Sequence, residues 1–87
     1  MLEELMGTRG AYLLDEGMNI LGKVPVKELA PTLANLTGVS TVIMDGVITL
    51  DIVNVAENSR VKQLVAMESK AAARFVKIFT AADLGLA

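Results

Sequence analysis

The chain has 87 residues, a formal net charge of −2, no Cys, no His, no Trp, and only three aromatic residues, Tyr12, Phe75 and Phe79. That length allows one small domain, and the missing residue types exclude a disulfide framework, zinc fingers, a thiol nucleophile and any histidine-based catalytic triad. A metal here would have to be a hard cation held by carboxylates.

Hydrophobic residues make up 53% of the chain and the mean hydropathy is +0.52, so a membrane reading is tested first. The most apolar stretch, Val39 to Val55, is broken by Asp45 and Asp51 and falls short of the ~18–20 apolar residues in a row that span a bilayer. The N-terminus, with Glu3, Glu4 and Leu5, lacks the basic start and apolar centre of a secretory signal. The expectation is a cytoplasmic α/β domain over residues 1–87 with no membrane contact. Its apolar excess points to a well-filled core and a surface for another domain or a second copy, a homo-oligomer.

Met1 to Met6 reads as the remnant of a helix that begins upstream, as in a fragment of a longer protein. Gly7-Thr8-Arg9-Gly10 has the look of a phosphate loop but precedes a strand rather than a helix, so it reads as a flexible lead-in whose Arg9 folds back on an acidic neighbour. Two apolar runs, Ala11 to Leu14 and Ile20 to Val24, flank a turn containing Gly17 and Asn19 and predict a β-hairpin closed by Pro25. Apolar residues at 26, 29, 30, 33 and 36 predict an amphipathic helix that ends at Thr37-Gly38, with Pro31 kinking it or opening a fresh first turn.

Ser40 to Met44 is a β-branched run bounded by Gly38 and Asp45-Gly46, apolar on successive positions, and predicts a central strand covered on both faces. A helix comes next, over Thr49 to Asn58, with Thr49 as N-cap and Ile52, Val53, Val55 and Ala56 as its buried stripe. Lys62 to Ala66 and Val76 to Phe79 predict two further strands, and Thr80 with Asp83 resembles a helix start. Met67 to Arg74 stays open between a short helix favoured by Ala71 to Ala73 and a loop. The alternation predicts a small, mainly parallel or mixed β-sheet with helices packed on it and a hairpin at its start.

Two groups of residues carry candidate chemistry. Asp45 lies past the carboxyl end of the central strand, where open α/β sheets place ligand crevices, so it is the one weak candidate for magnesium. The same carboxylate is equally suited to accepting backbone N–H groups in a turn where Gly46 supplies a positive φ. Its nearest acidic neighbour in sequence is Asp51, and no D-x-D clamp exists. The second group is the basic segment: Arg60, Lys62, Lys70, Arg74 and Lys77 stand against a single acid, Glu68. Clustered cations pair with phosphates, and Lys70 and Arg74 share a face if that segment is helical. The near absence of exposed-looking aromatics for base stacking argues against nucleic acid, and such a charge run also suits a plain solvated face.

The stretches G-T-R-G-A-Y-L-L-D at 7–15, N-I-L-G-K-V-P-V-K-E-L at 19–29 and V-I-M-D-G-V-I-T at 42–49 resemble the C-terminal domain of archaeal bacterial-type (DnaG-like) primases. The resemblance covers about residues 5–66. It implies a parent whose Toprim domain binds magnesium for RNA primer synthesis in DNA replication, and which associates with the RNA exosome and favours adenine-rich RNA. The Toprim glutamate and D-x-D acids do not map onto this chain, so the resemblance implies an accessory, non-catalytic domain with no catalytic residue and no cofactor of its own. Its implied partners are the Toprim domain, exosome subunits and RNA, and two uses stay open: protein–protein assembly, or nucleic-acid binding through residues 60–77.

Overall fold

A computed structural model describes Leu5 and residues 7–85. The elements run β1 (Gly10–Leu14), β2 (Ile20–Pro25), a 3-10 turn (Val26–Glu28), α1 (Leu29–Asn35), β3 (Thr41–Met44), β4 (Val47–Ile48), α2 (Leu50–Asn58), β5 (Gln63–Ala66), β6 (Glu68–Ser69) and β7 (Lys77–Thr80). A five-stranded sheet has the order β2-β1-β3-β5-β7, and β4 and β6 form a separate parallel pair. β1 is antiparallel to both β2 and β3, whereas β3, β5 and β7 are mutually parallel. The mixed α/β sheet with its initial hairpin is the one the sequence predicts.

All four residues of β3 are buried, as a central strand requires. Val42 and Met44 face one core, with Ala11, Leu13 and Leu64 from neighbouring strands, Leu29 and Leu33 from α1, and Ile52, Val53 and Ala56 from α2. Ile43 joins a smaller cluster with Leu5, Leu14 and Ala81 on the opposite face. Both helices lie on the same side of the sheet. The reason is topological: β2, β3 and β5 run parallel, since β2 and β3 are both antiparallel to β1, and they follow one another in one direction across the sheet, so the right-handed crossovers through α1 and α2 fall on the same face.

Several boundaries differ from the periodicity. The helix expected over 26–36 divides into the 3-10 turn and α1, which places Pro31 in a fresh first turn where its missing N–H costs nothing. It ends at Asn35, before Thr37-Gly38, and Leu36 is already extended. Thr49 occupies the N-cap position of α2 but its side chain makes no capping bond. Thr80 and Asp83 do make reciprocal bonds, with the Thr80 N–H donating to Asp83 Oδ2 at 2.9 Å, yet they close a turn and do not start a helix. Met67 to Arg74 contains β6 and loop rather than helix, since its local propensity is outweighed by pairing of Glu68 and Ser69 with Val47 and Ile48. The upstream helix expected over Met1 to Met6 lies, apart from Leu5, outside the described residues.

The hairpin turn is built on Asp15. Its Oδ1 accepts the backbone N–H groups of Gly17 and Asn19, both at 2.9 Å, and Met18, not Gly17, takes the left-handed conformation with φ 63°. A one-residue register shift between Leu13 and Leu14 leaves Leu21 as a bulge on the outer strand. Bulges and a lysine, here Lys23, are common protections of a sheet edge. The Asn19 N–H, with the Asn19 amide and the Gly17 N–H, holds the Asp15 carboxyl below its ordinary 3.8.

Leu64→Ala removes a fully buried side chain from the helix-facing core and should cost about 2–5 kcal/mol of unfolding free energy in urea titration. Asp15→Asn should lower the thermal midpoint at neutral pH. A depressed carboxyl contributes stability above its unfolded pKa and loses it as pH falls through the folded value, so the gap between wild type and variant should narrow below pH 3.8.

Candidate functional site

The two ends of the parallel strands differ in chemistry. At the carboxyl end a cleft of ≈ 830 Å³ opens between the lead-in to β1, the 3-10 turn, and the segments after β3 and β5. Its charged lining residues are Arg9, Lys27, Asp45 and Glu68. Asp45 is held by its neighbours: its own N–H donates to the Gly10 carbonyl at 2.9 Å, and its Oδ2 accepts the Arg9 N–H at 2.8 Å. Arg9 sits in the left-handed region at φ 55°, so this bond secures a backbone conformation that a side-chain-bearing residue adopts at a cost. The backbone of Arg9, rather than its guanidinium, is what meets the acid.

Asp45 therefore acts on the lead-in to β1 and not on its own turn. Among the described glycines the positive φ values belong to Gly7, Gly38 and Gly85, so Gly46 does not supply the positive φ expected of it. Glu68, 23 positions further along the chain, shares the cleft with Asp45, whereas Asp51, the nearest acid in sequence, does not line it. No group of three or more metal-ligating side chains occurs among the described residues.

The amino end of the parallel strands gathers cations of the basic segment, with Glu16 and Glu57 among them. Four of the five cations of the basic segment are placed there by backbone bonds. The Lys62 N–H donates to the Ser40 carbonyl just before β3, and the Lys77 N–H donates to the Lys62 carbonyl, both at 2.8–2.9 Å. The Arg60 N–H donates to the Glu57 carbonyl in the last turn of α2, and Glu57 Oε2 accepts the N–H groups of Arg74 at 2.9 Å and Phe75 at 3.2 Å. Lys70 is the exception: its N–H donates to the Ile48 carbonyl, on the β4–β6 side. The shared helical face expected for Lys70 and Arg74 does not form, because no helix forms between them.

Arg60 takes the left-handed position after α2, φ 60°, where glycine is usual, and the Val61 N–H closes the motif on the Ala56 carbonyl at 2.9 Å. A cation just past a helix carboxyl terminus offsets the exposed carbonyls there. Arg60 and Lys62 line a groove of ≈ 570 Å³ with Glu16 and the end of α1. Lys62 Nζ bonds Glu16 Oε1 at 2.7 Å, and this hydrogen bond, with the attraction of the charge, holds the Glu16 carboxyl below its ordinary value. Both partners are exposed, so the pair contributes little to stability. Phe75, an aromatic that sequence reasoning did not expect on the surface, is 80% exposed beside Arg74. No helix among the described residues is long and apolar enough to cross a membrane.

Comparison with known proteins yields one consistent result. The chain is 38% identical over 66 residues to a DNA primase DnaG of Thermofilum pendens, covering 76% of this chain and 16% of that protein. It is 39% identical over 69 residues to the DNA primase DnaG of Methanocella arvoryzae, covering 78% and 14%. With the DNA primase DnaG of Methanobrevibacter smithii the identity is 37% over 70 residues, covering 79% and 17%. No family model and no solved structure matches the chain. It spans about one sixth of the length of these curated relatives and is a primase-related segment, homologous to one part of archaeal DNA primase DnaG.

Proposed function

We propose that the chain is the accessory, non-catalytic C-terminal domain of an archaeal DnaG-like primase and that it serves protein–protein assembly in the cytoplasm. On this reading primer synthesis and its magnesium belong to the parent's Toprim domain, and this domain meets the Toprim domain, exosome subunits or a second copy of itself. The observation that carries the reading is the apolar outer edge of the hairpin. Met18, Ile20 and Leu21 are about half exposed in a chain homologous to one part of a longer primase. Three neighbouring apolar side chains at a sheet edge form the kind of patch that a partner covers.

A second reading, binding of adenine-rich RNA, is favoured by the gathering of Arg60, Lys62, Arg74 and Lys77 at one end of the sheet. Cations grouped on one surface attract a phosphate backbone, and the affinity they give falls with salt.

Sedimentation of the chain with a purified Toprim domain, with exosome cap subunits, and alone checks the assembly reading. A complex or a dimer that Ile20→Asp/Leu21→Asp abolishes is expected, whereas a monomer that meets none of them contradicts it. For the second reading, Arg60→Glu/Arg74→Glu should weaken labelled oligoadenylate binding by at least roughly tenfold at low salt, with Lys70→Glu close to wild type. Equal binding by all three proteins would remove it.

A further inference from the structure

Phe75 is held in water by the fold. On one side of it Ala73 packs against the main core, and on the other Val76 is buried within that core. Glu57 Oε2 accepts the N–H groups of both Arg74 and Phe75, so the backbone between those two anchors is tied to the last turn of α2. The preceding loop is bonded as well, with Ser69 Oγ donating to the Ala71 carbonyl at 2.7 Å. A single exposed apolar side chain on a loose loop means little. This one, the most exposed of the large apolar residues described, stands on a segment fixed from both sides.

Its surroundings are specific too. Arg74 precedes it, Lys77 is two residues on, and Arg60 is bonded through its N–H to the same Glu57. The Lys62 carbonyl accepts the Lys77 N–H. The Glu57 carboxylate is engaged by two backbone donors, the N–H groups of Arg74 and Phe75. An exposed aromatic face on a fixed segment, with cations at positions 74 and 77 of the same segment, suits a single-stranded nucleic acid, whose unpaired bases stack on the ring while its phosphates meet the cations. A duplex offers no free base face.

We propose that Phe75 is a stacking residue for an unpaired base of a single-stranded nucleic acid whose phosphates lie along Arg60, Arg74 and Lys77. The proposal rests on the nucleic-acid reading above and adds to it a contact with the bases themselves. Arg74 and Lys77 act as phosphate contacts, and Glu57 is a positioning residue that presents the ring.

The test uses fluorescence anisotropy with two labelled oligomers of equal length, oligoadenylate and an abasic phosphodiester, against wild type, Phe75→Ala and Arg60→Glu/Arg74→Glu. Circular dichroism checks that each variant is folded. Phe75→Ala should weaken oligoadenylate binding roughly fivefold or more and leave the abasic oligomer unchanged, while the double variant weakens both. If Phe75→Ala binds oligoadenylate like wild type while the double variant loses it, stacking is overturned and the phosphate contacts stand. Equal weakening of both oligomers by Phe75→Ala overturns it too, since that is a change in the cationic surface and not in base contact. If wild type binds neither oligomer, the nucleic-acid reading falls together with the stacking, and the exposed ring is left to a protein partner.

Discussion

The arrangement depends on β3 being buried along its whole length. Thr41 to Met44 pair antiparallel with β1 on one side and parallel with β5 on the other, so this strand is where the hairpin half of the sheet meets the parallel half. Its side chains alternate between the helix-facing core and the smaller cluster on the opposite face. A strand in that position needs apolar or β-branched residues at every step, and T-V-I-M supplies them.

That strand also sets the placement of the chemistry. The chain leaves β3 at Asp45, next to the lead-in to β1, because β1 is the antiparallel neighbour and its start lies beside the end of β3. The Arg9–Asp45 bond is thus a consequence of topology, and the carboxyl-end cleft forms around it. At the other end, the crossovers return α2 and the 70–76 segment to the starts of β5 and β7, which brings Arg60, Lys62, Arg74 and Lys77 to one edge of the molecule. That end carries four of the eight cations of the chain, with Glu16 and Glu57 among them.

The regular elements were legible where a pattern is local. The β-branched run of β3, the apolar stripe of α2 and the turn residues of the hairpin each declare themselves within ten residues, and each element formed within a few residues of its expected limits. The features that were not legible are non-local. The two-residue strands β4 and β6 exist only through each other, and no propensity over Met67 to Arg74 signals a partner at Val47. The left-handed Arg60 and Met18 carry no glycine to mark them. Of the candidate sites, the residue types of the basic segment were visible, but not that Lys70 stands apart from the other four. Nor was the exposure of Phe75, which is set by burial of Val76 and by a carboxylate 18 positions earlier. Asp45 was identified by its place after the central strand, while its cleft companions Arg9, Lys27 and Glu68 are gathered from three other segments.

Docking of this primase-related chain on another protein through the apolar edge of its hairpin is the claim on which the functional reading turns. Its most direct measurement is amide chemical-shift mapping of the isotope-labelled chain as a purified Toprim domain of an archaeal DnaG primase is added. Perturbations should concentrate at Met18 to Leu21 and along the outer edge of β2. Perturbations confined to the carboxyl-end cleft around Asp45, or none at any excess of that domain, would contradict it.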